Sequence, residues 1–164
     1  MSPPRGHALR LGRFSALNHI YIVTCVTHRR RRALADLAAG RCLVGALRFQ
    51  QDARRAETLA YVVMPDHFHW MLRLCGDSSL SRVMRSVKGF SAKRINGLQD
   101  CRGRRFWQSG YHDHAVRSDE QLIATARYIV ANPLRARLVR RIGDYPLWDA
   151  VWLEDAAPAD KTLL

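Results

Sequence analysis

Two histidines separated by one residue offer the most direct chemistry in this sequence. His67 and His69 flank Phe68 in the run MPDHFHWML, residues 64–72, directly after a turn-forming Pro-Asp pair. On a β-strand, alternate residues point to the same face, so the two imidazoles would lie side by side while Phe68 faces the core. Two imidazoles on one strand face make half of a divalent-metal site. The alternative is a pair of surface or hydrogen-bonded histidines.

A second candidate group lies on a later predicted helix. In ARYIVANP, residues 126–133, Tyr128 and Asn132 are four residues apart and therefore share one helical face. A phenol can act as a nucleophile toward phosphorus, which splits one displacement into two easier ones. A divalent ion held by His67, His69 and the Asn132 amide oxygen would polarise a scissile phosphate. Taken alone, Tyr128 is better explained as a packed helix tyrosine with its hydroxyl at the surface.

The charge of the chain favours a polyanionic partner. Lys and Arg number 27 against 14 acidic residues, a formal net charge of +13, and arginine is by far the commoner of the two cations. Arginine suits bidentate contacts with phosphate and stacking on bases, so nucleic acid is the predicted partner. The alternative is a solvated basic face without a partner. A membrane surface is disfavoured, because no terminal basic helix has a clean apolar stripe.

Size and cysteine spacing exclude several classes of protein. The chain has 164 residues and is 48% hydrophobic, which indicates one folded domain with its own core. Its four cysteines form no CxxC pair, which argues against a zinc ribbon or a thioredoxin-type site. We find no signal peptide and no apolar run of membrane-spanning length, so we expect a cytoplasmic, nucleoid-associated protein. We divide the chain into a basic arm at 1–17, a domain at 18–142 and a tail at 143–164.

The elements that must position these side chains follow from hydrophobic periodicity. We predict strands at His19–Thr27, Glu57–Met64, His67–Cys75 and Tyr111–Arg117, and helices at Leu34–Arg54, Leu80–Asn96 and from the capping box at Ser118 to Asn132. The first helix is expected to be interrupted near Gly40, and Ser118 opens the third with a capping box. Pro65 and Asp66 join two strands as a hairpin. The result is an α+β sandwich close to the ferredoxin-like pattern, a mostly antiparallel sheet with helices on one side.

Three segments of the chain resemble the REP-associated tyrosine transposases, which are single-tyrosine HUH transposases related to the smallest insertion-sequence transposases. The segments are YVVMPDHFHWML at 61–72, FWQSGYHDHAVRSDEQL at 106–122 and ARYIVANPLRARLV at 126–139. The resemblance covers roughly residues 14–140. It implies a ferredoxin-like fold with His67 and His69 on a central strand.

The same resemblance implies a reaction. Tyr128 would attack single-stranded DNA, form a 5′-phosphotyrosine and release a 3′-OH, with Mg²⁺ or Mn²⁺ at the histidines. Asn132 takes the position of a metal-site glutamine in the insertion-sequence relatives. The implied substrate is a palindromic repeat folded as a hairpin, flanked by a short single-stranded tetranucleotide. We expect a monomer, although the insertion-sequence relatives act as dimers.

Other residues are candidates for supporting roles. We predict that Asp66, His112 and His114 orient the metal-binding histidines. The side chains predicted to contact DNA are Arg5, Arg13, Arg82, Arg85, Lys88, Trp107 and Tyr111. Tyr111 is also the alternative candidate for the nucleophile, after Tyr128. The basic run His28–Arg32 is either a solvated charge cluster or a loop that faces phosphate.

Two other functions remain open from the sequence. A non-catalytic protein that binds structured single-stranded DNA or RNA would explain the charge and the aromatic residues. It would leave the co-occurrence of the histidine pair, Tyr128 and Asn132 without a reason. A metal-dependent nuclease that activates water would keep the histidines and make Tyr128 dispensable.

Overall fold

The computed structural model describes residues 19–116 and 119–151. In chain order the elements are β1 (Ile20–Val26), α1 (Leu37–Asp52), β2 (Ala56–Met64), β3 (His67–Leu74), α2 (Leu80–Leu98), β4 (His112–Val116), α3 (Asp119–Val130), α4 (Asn132–Arg135) and β5 (Trp148–Ala150). Single 3-10 turns lie at His28–Arg30 and Ile142–Asp144. Among the described residues, no helix is both long and apolar enough to cross a bilayer. The predicted arm and Ser118 lie outside the described residues.

The strands form one antiparallel sheet in the order β4-β1-β3-β2-β5. The histidine strand β3 is therefore the central strand, as predicted, and the α+β fold class is confirmed. Pro65 and Asp66 form the tight turn between β2 and β3, where a proline needs no ladder hydrogen bond. The histidine strand is therefore hydrogen-bonded on both edges, to β1 and to β2.

Helices cover both faces of the sheet, so the prediction of helices on one side is wrong. Phe68, Trp70 and Leu72 point from β3 toward α1 and α2 and form the larger core. Met71, of opposite parity, belongs to a second core that includes Ile129 and other residues of α3. Because β3 is covered on both faces, its sequence is a nearly continuous apolar run. Such a sequence does not indicate whether helices cover one face of the sheet or both.

Helix α1 and the edge strand β5 differ from the sequence-based expectation. Helix α1 runs through Gly40 without a break. A Cβ at Gly40 would overlap Cδ1 of Leu147, so the glycine is a point of close packing and not an interruption. The segment after Leu147 forms β5, which pairs with β2 through Val62 and Trp148. Three residues are too short to show a period-two pattern.

Candidate active site

His67 and His69 lie on the same face of β3, with ring centroids 5.0 Å apart and ring planes at 82°. This is the face that carries the second core, because Met71 shares their parity. Both imidazoles are partly exposed, in contrast to the fully buried Phe68 between them. The two histidines therefore lie side by side on one strand face, as predicted, at the N-terminal end of the central strand.

The His67 ring is fixed by the residue before it. Nδ1 of His67 lies 2.6 Å from Oδ1 of Asp66, and Nη1 of Arg30 lies 3.3 Å from Oδ2 of the same carboxylate. Burial alone would raise the pKa of Asp66, but the hydrogen bonds and charges of His67 and Arg30 outweigh burial and lower it. The ionised carboxylate accepts the Nδ1 proton of His67, so Nε2 is the ring nitrogen that a metal ion would use. Asp66 thus occupies the orienting position that was predicted for it.

The His69 ring is fixed by a residue on the neighbouring strand. Nδ1 of His69 lies 2.7 Å from Oγ1 of Thr24, its direct partner in the β1–β3 ladder. Burial lowers the pKa of His69 to about 4, and the charges of His67 and Arg135 act in the same direction. The ring is therefore neutral at physiological pH, the form in which imidazole binds a metal. Sequence reasoning missed Thr24, because it lies 45 residues from His69 and only the strand register brings the two together.

Tyr128 and Asn132 lie on the same side of the sheet as the histidines. The side chain of Tyr128 is 65% exposed, although Ile129 beside it is buried in the second core. Asn132 begins α4 and donates from Nδ2 to the carbonyl of Ile129 at 2.9 Å. That hydrogen bond uses the amide nitrogen and sets the direction of the amide group. Within the described residues, no donor binds the amide oxygen, which remains available as a ligand.

Arg135 connects the tyrosine to the histidine pair and was not among the predicted residues. Its guanidinium carbon lies 3.8 Å from the centroid of the Tyr128 ring, and Nη1 donates to the Tyr128 carbonyl at 2.7 Å. Its charge also contributes to the lowered pKa of His69. A cation over an aromatic face holds the ring in place and adds positive potential around the phenol. The sequence ARYIVANPLR, residues 126–135, gave no reason to assign a role to this arginine and not to the others nearby.

The other predicted residues that the structure describes include two pairs, one on β4 and one on α2. His112 and His114 are exposed on β4 and share the histidine face, since His112 pairs with Thr24. Arg82 and Arg85 are exposed on α2, on the opposite side of the sheet. Arg5 and Arg13 lie outside the described residues.

Two of the predicted DNA contacts have structural partners inside the protein. Trp107 is 6% exposed, packs against Phe68 and donates from Nε1 to Ser91, and this burial opposes the predicted stacking on a base. Lys88 is half-buried, and its Nζ donates to the carbonyls of Gln108 and Gly110.

No cluster of three or more His, Cys, Asp or Glu side chains suited to a metal ion occurs among the described residues. The candidate ligand set is therefore two imidazole nitrogens and one amide oxygen, from His67, His69 and Asn132. Neutral imidazoles and a carbonyl-type oxygen are acceptable ligands for Mn²⁺, and oxygen is preferred by Mg²⁺.

Comparison with known families decides the membership of the chain. A family model described as "Transposase IS200 like" matches residues 15–132, which include the histidine strand, Tyr128 and Asn132. The chain belongs to the IS200-like transposase family. The predicted resemblance to single-tyrosine transposases is thereby confirmed.

Two similar proteins give a more specific comparison than the family model. A REP-associated tyrosine transposase of Escherichia coli strain K12 is 30% identical over 94 residues, which are 57% of this chain and 53% of the relative. The aligned region thus spans about half the length of that relative. A solved structure, described as a REP-associated tyrosine transposase bound to a REP hairpin, superposes with a TM-score of 0.68 at 25% identity. That superposition covers 90% of this chain and 82% of the other.

Proposed function

We propose that this IS200-like transposase is a metal-dependent single-strand DNA endonuclease and strand transferase that acts on hairpin-forming repeats through a 5′-phosphotyrosine. The observation that carries the proposal is the pair of fixed imidazoles on a central strand, with the helix of Tyr128 on the same face. The family membership and the hairpin named for the structural relative support DNA as the substrate. A binding protein without chemistry would not need two imidazoles held by separate partners.

His67, His69 and Asn132 would hold the metal ion, which when bound would act as a Lewis acid on the scissile phosphate. Each imidazole has its Nδ1 engaged by another side chain, so Nε2 is the atom that each offers. Asp66 engages Nδ1 of His67, and burial keeps His69 neutral. These contacts favour Nε2 of each ring as the atom that would bind the metal.

Tyr128 would supply the nucleophile. Its phenol oxygen forms a bond to the phosphorus while the bond from phosphorus to the 3′ oxygen breaks, and the phenol proton ends, in the net reaction, on the departing 3′-OH. Attack by a 3′-OH from another strand reverses these steps and joins new ends. The exposure of Tyr128 lets a strand approach the ring, and Arg135 limits the positions that the ring can adopt.

A denaturing-gel assay tests this proposal. Labelled hairpin DNA from repeats of the source genome is incubated with the protein, with and without Mn²⁺, and protein-linked DNA is separated from free strands. We expect a metal-dependent linked band from the wild type and from Tyr111→Phe, and none from Tyr128→Phe. Arg135→Ala should form the band at least about tenfold more slowly, with Arg135→Lys intermediate, because preorganised charge and ring position are lost.

The outcomes separate the alternatives. Cleavage without a linked band, unchanged in Tyr128→Phe, would identify a nuclease that activates water. Binding of every repeat without cleavage by the wild type would identify a binding protein. Either result contradicts the proposed phosphotyrosine chemistry.

A further inference from the structure

Four consecutive arginines follow β1 at the end of the sheet where His67 lies. The segment His28–Arg32, here called the arginine loop, exposes Arg29, Arg30 and Arg32 and partly exposes Arg31. The sequence allowed two interpretations of this run, a solvated charge cluster or a loop that faces phosphate. A solvated cluster would need no fixed backbone and no particular neighbour.

The backbone of the arginine loop is fixed by Thr27, which is fully buried. The amide of Thr27 donates to the carbonyl of Asp66 at 2.8 Å, and its hydroxyl lies 2.6 Å from the carbonyl of Arg31 and 2.9 Å from that of Asp66. The amide of His28 donates to the carbonyl of Phe106 at 2.7 Å. The loop is thus anchored both to the turn before His67 and to the segment that follows α2.

Two residues of the arginine loop adopt backbone angles that are rare for residues other than glycine. Arg29 has φ 57° and ψ 27°, and Arg30 has φ 51°. Left-handed backbone at consecutive arginines is unfavourable and persists only where the surroundings impose it. Here the bonds of Thr27 and His28 impose it. The result is a fixed curve with the Arg29 and Arg30 side chains at the surface.

The positive charge of this region is compensated very little. Arg31 donates from Nη2 to the carbonyl of Arg105, which brings a further guanidinium to the loop. The pKa of His28 is lowered by desolvation and by the charges of Arg105, Arg29 and Arg31. Within the described residues, the ion pair between Arg30 and Asp66 is the single one that this cluster makes. The side chain of Arg30 is 66% exposed in that pair, so its guanidinium remains accessible to a second anion.

The arginine loop is connected to the candidate metal site through one carboxylate. Oδ2 of Asp66 faces Arg30 at 3.3 Å, and Oδ1 faces Nδ1 of His67 at 2.6 Å. A phosphate bound by Arg30 would therefore lie close to a phosphate held at the histidines. Successive phosphates of one strand could occupy both positions.

We propose that the arginine loop, with Arg105, binds backbone phosphates of the DNA strand next to the phosphate that is cleaved, an inference that rests on the proposed function for DNA as the partner. Guanidinium groups bind phosphate in a bidentate manner and are always charged, so the contact does not depend on base sequence. The fixed backbone reduces the entropy that the loop loses on binding. The loop would set the position of the strand, and the histidines and Tyr128 would carry the reaction.

Binding of fluorescein-labelled oligothymidylate to the full chain, measured by anisotropy over a range of NaCl concentrations, tests the inference. The test variant is the triple substitution Arg29→Gln, Arg30→Gln, Arg32→Gln. The matched control is Arg41→Gln, Arg48→Gln, Arg94→Gln, which removes the same charge from exposed positions of α1 and α2 on the other side of the sheet. Thermal unfolding checks that both triples are folded. If the test triple is not, Arg30→Gln alone replaces it and should lose about 0.7 of slope.

Each phosphate contact with single-stranded DNA contributes about 0.7 to the slope of log K against log salt concentration. We expect the test triple to lose about 2 units of slope and the control triple less than about 0.7. Equal losses in the two triples, or no binding by the wild type, would overturn the inference. If the wild type forms no tyrosine adduct but the slopes differ as expected, the proposed chemistry fails and the loop remains a DNA site. If the adduct forms and the slopes do not differ, the loop inference fails alone.

Discussion

The two histidines are held by partners of different chemistry, a carboxylate for His67 and a hydroxyl for His69. The sequence allowed us to select His67, His69 and Asp66, because all three lie within one short run. Thr24 and Arg135 could not be selected, since their roles depend on strand register and on the turn between α3 and α4. The two residues that the sequence did not reveal are thus those whose contacts depend on how the chain folds. Thr24 meets His69 through strand pairing, and Arg135 meets Tyr128 through a turn.

Replacement of Thr24 tests whether the hydroxyl orients His69. Thr24→Val keeps the shape of the side chain and removes the hydrogen bond to Nδ1, so we expect Mn²⁺ affinity to fall by about 10- to 100-fold. Thr24→Ser keeps the hydroxyl and should stay within about threefold of the wild type. Isothermal titration calorimetry with Mn²⁺ measures both. An unchanged affinity in Thr24→Val would show that the hydroxyl does not support metal binding.

The lowered pKa of His69 predicts a dependence of stability on pH. The folded chain holds His69 neutral down to about pH 4, whereas the unfolded chain binds a proton below about 6.5. The unfolded state therefore takes up more protons in this window, and stability is lost as the pH falls from about 6.5 to about 4. The loss attributable to His69 is at most about 3 kcal/mol.

Urea unfolding in EDTA, at several pH values, measures this loss. His69→Gln should show a shallower decline in unfolding free energy than the wild type, and His114→Gln, at an exposed position of β4, is the matched control. An equal decline in wild type and His69→Gln would contradict the assigned cause.

At the scale of elements, hydrophobic periodicity predicted the strands and helices to within a few residues. It did not predict that α3 covers the second face of the sheet, since strands buried on both faces carry no alternating pattern. It also missed β5, whose three residues take their conformation from pairing with β2. The predicted break at Gly40 failed because a helical glycine can reflect a close tertiary contact as well as flexibility.

Two glycines of α1 provide a matched test of that explanation. Gly45 has open space where a Cβ would be, so Gly45→Ala should stabilise the protein by roughly 0.5–1 kcal/mol through helix propensity. Gly40→Ala gains the same propensity but must displace Leu147, which is buried. We expect Gly40→Ala to be less stable than Gly45→Ala by about 1–3 kcal/mol in chemical denaturation. Equal stability of the two variants would show that Leu147 moves at no cost.

At the scale of the whole molecule, the sheet separates two basic regions. The arginine loop lies at the end of the sheet beside His67, whereas the exposed arginines of α2 lie on the opposite side. A DNA strand bound at the histidines can therefore reach Arg82 and Arg85 only if it extends around an edge of the sheet, as a hairpin with a single-stranded flank could. Their predicted contacts, and the predicted monomeric state, remain predictions. The net charge of +13 is expected to make all DNA binding strongly dependent on salt.

Identification of the residue that carries the DNA tests the central claim most directly. After reaction with hairpin DNA and Mn²⁺, the protein is digested with nuclease and trypsin, and the peptides are analysed by mass spectrometry. Cleavage after Arg127 and Arg135 yields YIVANPLR, which contains Tyr128, and cleavage after Arg105 and Arg117 yields FWQSGYHDHAVR, which contains Tyr111. We predict a nucleotide mass on Tyr128 that depends on the metal and on His67 and His69. A nucleotide mass on Tyr111, or cleaved DNA with no modified peptide, would contradict the assignment of Tyr128 as the nucleophile.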